Sequence, residues 1–193
     1  TVNRYCASGL ETISIAAAKI NAGMGEVYLA GGAESMSMIP MTGYKMAPSY
    51  QVASTTPSYL TGMGTTAEAV AEKWGITREQ ADEFSYNSHM KAIAAIDEGK
   101  FKDEIVPVTV EEVIVKDNKR VIYEQVIDTD EGIRRSTTVA GLGKLRPVFK
   151  NGGIITAGNS SQTSDGAAFV MVMSEAMVKQ FNLEPIARMV SCS

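Results

Sequence analysis

The first readable element is a helix from Ser8 to about Ala22. Leu10, Ile13, Ala16, Ala17 and Ile20 recur at intervals of three and four and form one apolar stripe. Lys19 in the last turn and Gly23 just beyond it mark the end. Val27–Ala30 is a short, unbroken apolar run closed by Gly31-Gly32 and predicts a strand. A strand that follows a helix over a short link points to an α/β layer. From about Ser35 to Gly64 the periodicity disappears. Met36, Met38, Met41, Met46 and Met63 are scattered among Gly, Pro, Ser and Thr, a long irregular stretch of the kind that carries function. Two helices are predicted next, about Thr66–Trp74 and Arg78–Glu98. Thr77, with Gln80 three positions on, forms a capping box for the second, and Gly99 closes it.

Beyond the helices, Ile105–Val110, Val113–Val115 and Val121–Val126 read as strands around the polar turn Lys116–Lys119. Asp128–Asn159 reads as loop, with Arg134, Arg135, Lys144 and Arg146 clustered and Ile154–Thr156 extended at its end. Ala167–Met173 predicts a buried strand, Ser174 caps a helix to about Asn182, and Pro185 precedes a last apolar strand over Ile186–Val190. The plan is a split α/β core built from 1–36 and 156–185, with 37–155 as an inserted excursion. An insertion between two core strands is where a ligand crevice tends to be built.

Composition narrows the function classes. The chain has 193 residues, 45% of them hydrophobic, and no apolar run of the ~18 residues a membrane span needs. Two cysteines and one histidine can build neither a disulfide framework nor a four-ligand zinc site, which points to a reducing compartment. A net charge of −4 argues against a nucleic-acid partner, while a local basic patch remains open to an anionic ligand. The chain opens at Thr1 without an initiator Met and stops within an apolar run, so it is expected to be a piece of a longer chain.

Cys6 is the sharpest chemical candidate. It stands in Asn3-Arg4-Tyr5-Cys6-Ala7-Ser8-Gly9, directly before a predicted helix, where free N–H groups favour a thiolate and can face an oxyanion. The small residues after it leave access open; the competing reading is a small buried hydrophobe. His89 lies on the Arg78–Glu98 helix and reads as a solvated helix-face residue, not a catalytic base. The run Thr156–Gly166 is rich in Gly, Ser and Thr, so a ligand can approach its backbone; Asp165-Gly166 reads as a turn into the next strand. Arg134, Arg135, Lys144 and Arg146 read either as a phosphate site or as a solvated patch. Gly31-Gly32 lacks the spacing of a dinucleotide fingerprint, and no metal-ligand spacing occurs.

Taken together, five ordered segments resemble the thiolase family. They are Val2–Gly9, Ala30–Ser37, Met63–Glu68, Lys144–Pro147, and Ala157–Ser161 with Asp165–Ala168. The resemblance implies a thiolase-like layered α/β core, incomplete here, with an inserted α+β loop domain. On that pattern 1–36 and 156–185 belong to the N-terminal core half, 37–155 is the loop domain, and 186–193 starts the C-terminal half. It implies an acyltransferase that cleaves 3-ketoacyl-CoA to acetyl-CoA and a shortened acyl-CoA through an acyl-Cys6 intermediate, as in β-oxidation of fatty acids. Cys6 matches the acyl-accepting nucleophile. Ser161 matches a position at the pantetheine arm, with Ala157 in the same segment; Arg134 and Thr137 match positions near the nucleotide, and Phe149 one near adenine.

Coenzyme A is implied as cosubstrate, with no permanently bound cofactor and no metal, in a cytoplasmic homodimer or homotetramer. Gly62 stands where some members carry histidine. The family's base histidine, second cysteine and oxyanion-hole asparagine fall in the second half, and Cys192 matches no catalytic motif. The sequence Cys-Ala-Ser-Gly resembles the degradative type more than the acetoacetyl-CoA-forming biosynthetic type. The competing readings are that biosynthetic type, a related ketosynthase, and a non-catalytic CoA- or lipid-binding relative.

Overall fold

The computed structural model describes residues 1–192. The chain divides into two units, Thr1–Met46 with Thr163–Ser193, and Ala47–Gln162.

In the first unit the apolar stripe produces helix α1 (Ser8–Asn21). It ends as the sequence predicts: Gly23 adopts φ +69°, and the amides of Gly23 and Met24 reach back to the carbonyls of Ile20 and Lys19 at 3.0 and 2.9 Å. Strand β1 (Val27–Ser35) does not stop at the glycine pair. It pairs antiparallel with β4 (Asp165–Met173) from Val27↔Met173 to Ser35↔Asp165. Gly31 makes that length possible. Its φ is +156°, and a Cβ there would lie 2.7 Å from the Cα of Phe169. Helix α1 packs on both strands, with Ala16 and Ala30 buried. The opposite face is open: Leu29, Phe169 and Met171 are 69%, 55% and 63% exposed. The expectation of a buried strand over Ala167–Met173 is therefore corrected: β4 is exposed on both sides up to Met171, Val170 opposite Ala30 included at 49%. Helix α1 packs mainly on β1 and leaves β4 as the open strand of a two-stranded sheet.

Asp165 is also not a turn residue. It is the first residue of β4, and its carboxylate accepts from the Ser37 amide (2.9 Å), the Ser37 hydroxyl and the Ser35 hydroxyl (3.3 Å). The Ser37 bonds come first among the causes that hold the Asp165 carboxyl below its usual range. A depressed folded value means that this tie contributes fully above the unfolded pKa near 3.9 and fades as pH falls through the lowered value. Asp165→Asn is expected to flatten the acid limb of a stability–pH curve below about pH 4, measured by urea unfolding.

Ser174 caps α6 (Glu175–Gln180) by accepting from the Met177 amide at 3.3 Å. No strand forms over 186–190. The segment has no ladder partner among the described residues, and Ile186 and Val190 are exposed.

The second unit holds α2 (Tyr50–Thr55), α3 (Met63–Trp74), α4 (Arg78–Asp97), strands β2 (Val108–Lys116) and β3 (Lys119–Ile127), and the short α5 (Val139–Leu142). Helix α2 lies inside the stretch read as irregular. The Thr77–Gln80 capping box at the start of α4 is present in both directions. Asp117 and Asn118 both take positive φ, 50° and 59°, the two-residue hairpin turn whose twist matches its strands. The two strands expected before the turn are one, because Glu111 and Glu112 stay in the ladder opposite Glu124 and Tyr123. What is buried in this unit is strongly polar: Glu68, Asp82 and Thr156 join Ala71, Leu142 and Ile155. Among the described residues no buried side-chain nitrogen or oxygen lacks a partner.

Candidate functional site

In the first unit, Cys6 occupies a 3-10 turn, Tyr5–Ala7, that runs straight into α1. Its thiol is exposed, so the reading as a small buried hydrophobe is set aside. The turn is tight because Tyr5 takes φ +48°, a left-handed conformation that costs a non-glycine residue about 1–2 kcal/mol. Side chains on either side hold it there. Asn3 Oδ1 accepts from the Tyr5 amide at 2.9 Å; Ser8 Oγ donates to the Tyr5 carbonyl at 2.8 Å and accepts from the Arg4 amide at 2.7 Å. Arg4 Nη1 is tied to Glu11 Oε2 at 2.7 Å, one turn into α1. None of these bonds uses the Cys6 amide, which leaves that N–H available beside its own sulfur. The turn therefore presents a thiol and a donor together. Ser8→Ala removes both bonds around the Tyr5 peptide and is expected to lower stability by about 1–2 kcal/mol, read from the denaturant midpoint.

The other singled-out residues lie in the second unit. Arg134 and Thr137 share one turn, closed by the Thr137 amide on the Arg134 carbonyl at 3.2 Å. Helix α4 grips that turn at two points. The Arg134 amide donates to His89 Nδ1 at 3.4 Å, and Arg135 makes a two-pronged pair with Asp97 at 3.0 and 2.6 Å. His89 is thus half-buried and engaged with the loop, not merely solvated. Asp97 is held below the usual carboxylate range by the Arg135 hydrogen bond first and by its charge after that. With Arg135 engaged, Arg134, Lys144 and Arg146 have no carboxylate within ion-pair reach among the described residues.

Ala157 and Ser161 are exposed on one loop whose root is buried at Ile155 and Thr156. This loop meets the 132–137 segment where the Gln162 side chain lies against Gly132, on the space a Cβ would need. Phe149, 47% exposed, follows Val148, whose amide bonds to the Ile155 carbonyl at 3.0 Å, and has its ring over Gly64 in the first turn of α3. The unit thus brings Arg134, Thr137, Ala157 and Ser161 onto two touching segments.

Sequence reasoning missed the residues that hold these loops: Glu68, Asp82, Asp97 and Asn159. Glu68 accepts from the amides of Ile154 (3.0 and 3.1 Å) and Ile155 (2.8 Å). Glu68 and Asn159 lie within segments that carry the family resemblance but receive no role from it, and nothing singles out Asp82 or Asp97. No group of three or more His, Cys, Asp or Glu that could hold a metal ion occurs among the described residues.

Comparison with known proteins agrees with the five sequence segments. The family model for the N-terminal domain of thiolase matches residues 1–176. The chain belongs to the thiolase family. It is 50% identical to the 3-ketoacyl-CoA thiolase of Bacillus subtilis over 190 residues, 97% of this chain and 48% of that protein. It is 42% identical to a probable acetyl-CoA acyltransferase of Staphylococcus aureus, again over 97% of this chain and 49% of that protein. Two solved structures share the mixed α/β fold at 36% identity. The dimeric peroxisomal thiolase of Saccharomyces cerevisiae matches with a TM-score of 0.77 over 94% of this chain and 45% of its own. Human mitochondrial 3-ketoacyl-CoA thiolase matches with 0.75 over 96% of this chain and 48% of its own. The chain spans about half the length of the relatives it matches.

Proposed function

We propose that this chain carries the acyl-accepting nucleophile and the CoA-contacting loops of a 3-ketoacyl-CoA thiolase. The observation that carries the reading is the exposed Cys6, set with an uncommitted amide N–H in a tight turn at the head of α1, in a chain of thiolase ancestry. Activity belongs to the complete protein, because the matched relatives are about twice as long. The open apolar face of β1 and β4 supports this, since the remaining length of a thiolase offers the cover that Leu29, Phe169 and Met171 lack.

In the cleavage direction, the Cys6 thiolate attacks C3 of the bound 3-ketoacyl-CoA. The C2–C3 bond breaks, its electron pair leaves on C2 as the enolate of acetyl-CoA, and that carbon takes a proton from a general acid. The acyl group is then a thioester on Cys6. A second CoA thiol gives its proton to a base, its sulfur attacks the acyl carbon, and the Cys6 thiolate departs. The Cys6 amide is one donor to the tetrahedral oxyanion. The acid and base are assigned to the part of the thiolase length outside this chain. Sulfur suits this transfer because acyl exchange between two thiols is nearly balanced in free energy, so the acyl group stays transferable.

Arg134 and Thr137 are assigned to the nucleotide end of CoA, Phe149 to adenine, and Ala157 and Ser161 to the pantetheine arm. Cys-Ala-Ser-Gly around the nucleophile and the 50% identity to a relative named 3-ketoacyl-CoA thiolase favour the degradative direction over acetoacetyl-CoA synthesis. A homodimer or homotetramer is proposed, the yeast relative being described as dimeric. A cytoplasmic location is part of the same reading; among the described residues no helix is long and apolar enough to cross a membrane.

The test is to trap the intermediate. The complete protein, mixed with a 3-ketoacyl-CoA in the absence of free CoA, is expected to gain one acyl mass on the peptide containing Cys6. Added CoA should remove it. An acyl group found on another residue, or none at all, removes the reading.

A further inference from the structure

The loop that carries Ala157 and Ser161 has no regular structure beyond one bridge between Pro147 and Thr156, yet its root is among the most buried backbone in the chain. Asn159 organises it. Its Oδ1 accepts from the Thr156 amide at 2.7 Å, and its Nδ2 donates to the Ile154 carbonyl at 3.0 Å and to Asp82 Oδ1 at 2.9 Å. Asp82, 2% exposed, uses its other oxygen to accept from Arg78 Nε at 2.7 Å. Arg78 Nη2 continues outward to the carbonyls of Leu142 and Leu145 at 2.8 and 2.9 Å. The side chains of those leucines in turn close on Gly158, where a Cβ would lie 2.6 Å from Leu142 Cδ2. One buried carboxylate in the first turns of α4 therefore ties together two neighbouring loop segments, 142–145 and 154–159, that lie far along the chain from α4 itself.

A buried ion pair is a poor source of stability, since desolvation offsets most of its attraction. What it does supply is direction. Asp82 offers two acceptors and Arg78 a planar fork, so each loop is held in one orientation. A loop ordered in advance spares a ligand the cost of ordering it.

We propose that Asp82, Arg78 and Asn159 are positioning residues for the CoA cosubstrate, setting the backbone at Ala157 and Ser161 before CoA arrives. This rests on the assignment of those two residues to the pantetheine arm. The triad touches neither CoA nor the acyl group; it acts through the loop.

The experiment uses the complete protein with three variants: Asp82→Asn, Asn159→Asp and the double exchange. In D82N an amide NH2 faces either Asn159 Nδ2 or Arg78 Nε, donor against donor. In N159D two carboxylates meet. In D82N/N159D the amide at position 82 donates to the carboxylate at 159 while its oxygen still accepts from Arg78, so the tie between 82 and 159 returns with its direction reversed. The Ile154 carbonyl meanwhile loses the donor that Asn159 Nδ2 supplied. Each single variant is expected to raise the KM for CoA about tenfold, the loss of one charge-assisted bond, with kcat changed less than about threefold. The double variant is expected to recover part of the loss seen in N159D, since it removes the carboxylate–carboxylate contact but not the lost bond to Ile154. A purely structural role lowers the fraction of folded enzyme, which reduces kcat and leaves KM in place; that result overturns the proposal.

Should a single variant fail to fold, Asn159→Ser, which removes the contacts to Asp82, Thr156 and Ile154 together without adding charge, tests whether Asn159 sets the loop, and an unchanged KM there also overturns the proposal. Calorimetric titration of CoA into the wild-type protein separates the two levels. Absent binding removes the pantetheine assignment and this inference with it. Normal wild-type binding with unmoved variants removes only the inference.

Discussion

Replacing Cys6 with serine or alanine in the complete protein is expected to lower thiolysis of a 3-ketoacyl-CoA by about 10⁴-fold while leaving CoA binding within a fewfold of wild type. Two features make the effect large. In the proposed mechanism Cys6 forms the covalent bond, and no second cysteine shares its turn: Cys192, at the far end of the chain, accepts a hydrogen bond from Ser14 Oγ at 2.9 Å. Serine keeps the shape of the turn, so the loss measures the chemistry of sulfur rather than of folding. It is a weaker nucleophile at neutral pH, and any ester it formed would release its acyl group slowly to CoA. Steady-state rates for both variants, alongside titration of CoA, check the expectation. Turnover within tenfold of wild type in C6A would move the nucleophile elsewhere.

The second large effect is expected at Glu68. Its carboxylate is 5% exposed and holds the amides of Ile154 and Ile155. Alanine leaves one buried and one half-buried N–H group without its carboxylate acceptor and removes the side chain between α3 and the loop root, at a cost of about 2–4 kcal/mol. Glutamine keeps the volume and one acceptor oxygen, and is expected to cost about 1–2 kcal/mol. Urea unfolding of both variants in the complete protein gives the ordering. Equal, small losses would show that solvent satisfies the two amides as well as Glu68 does. The same reasoning explains Gly153, where a Cβ would lie 2.6 Å from Glu68 Cδ: the carboxylate occupies the space a side chain would take.

Local rules carried a good part of this molecule. A stripe at spacings of three and four marked α1; Gly23 marked its end, the Thr77–Gln80 box the start of α4 and Ser174 the start of α6; the polar turn Lys116–Lys119 between apolar runs marked the hairpin. Each of these depends on neighbours within a turn or two. Cys6 was legible for the same reason, because a thiol before a helix with small residues after it is a local arrangement. Where those rules failed, a distant partner had intervened. The glycine pair in β1 reads as a strand end until Phe169 lies against Gly31, and Asp165 reads as a turn residue until Ser35 and Ser37 arrive.

The supports of the loops assigned to CoA in the proposal belong wholly to this second kind. Asp82 and Asn159 stand 77 positions apart, Glu68 and Ile155 87, and Asp97 and Arg135 38. On their own helices Glu68, Asp82 and Asp97 occupy the places that solvated carboxylates occupy on any helix. By itself the sequence marked most of the elements, Cys6 as the candidate nucleophile, and the family to which the chain belongs. Only tertiary structure decided which carboxylates are buried and which amides they hold, because a charge can leave water only where chain from elsewhere brings it donors.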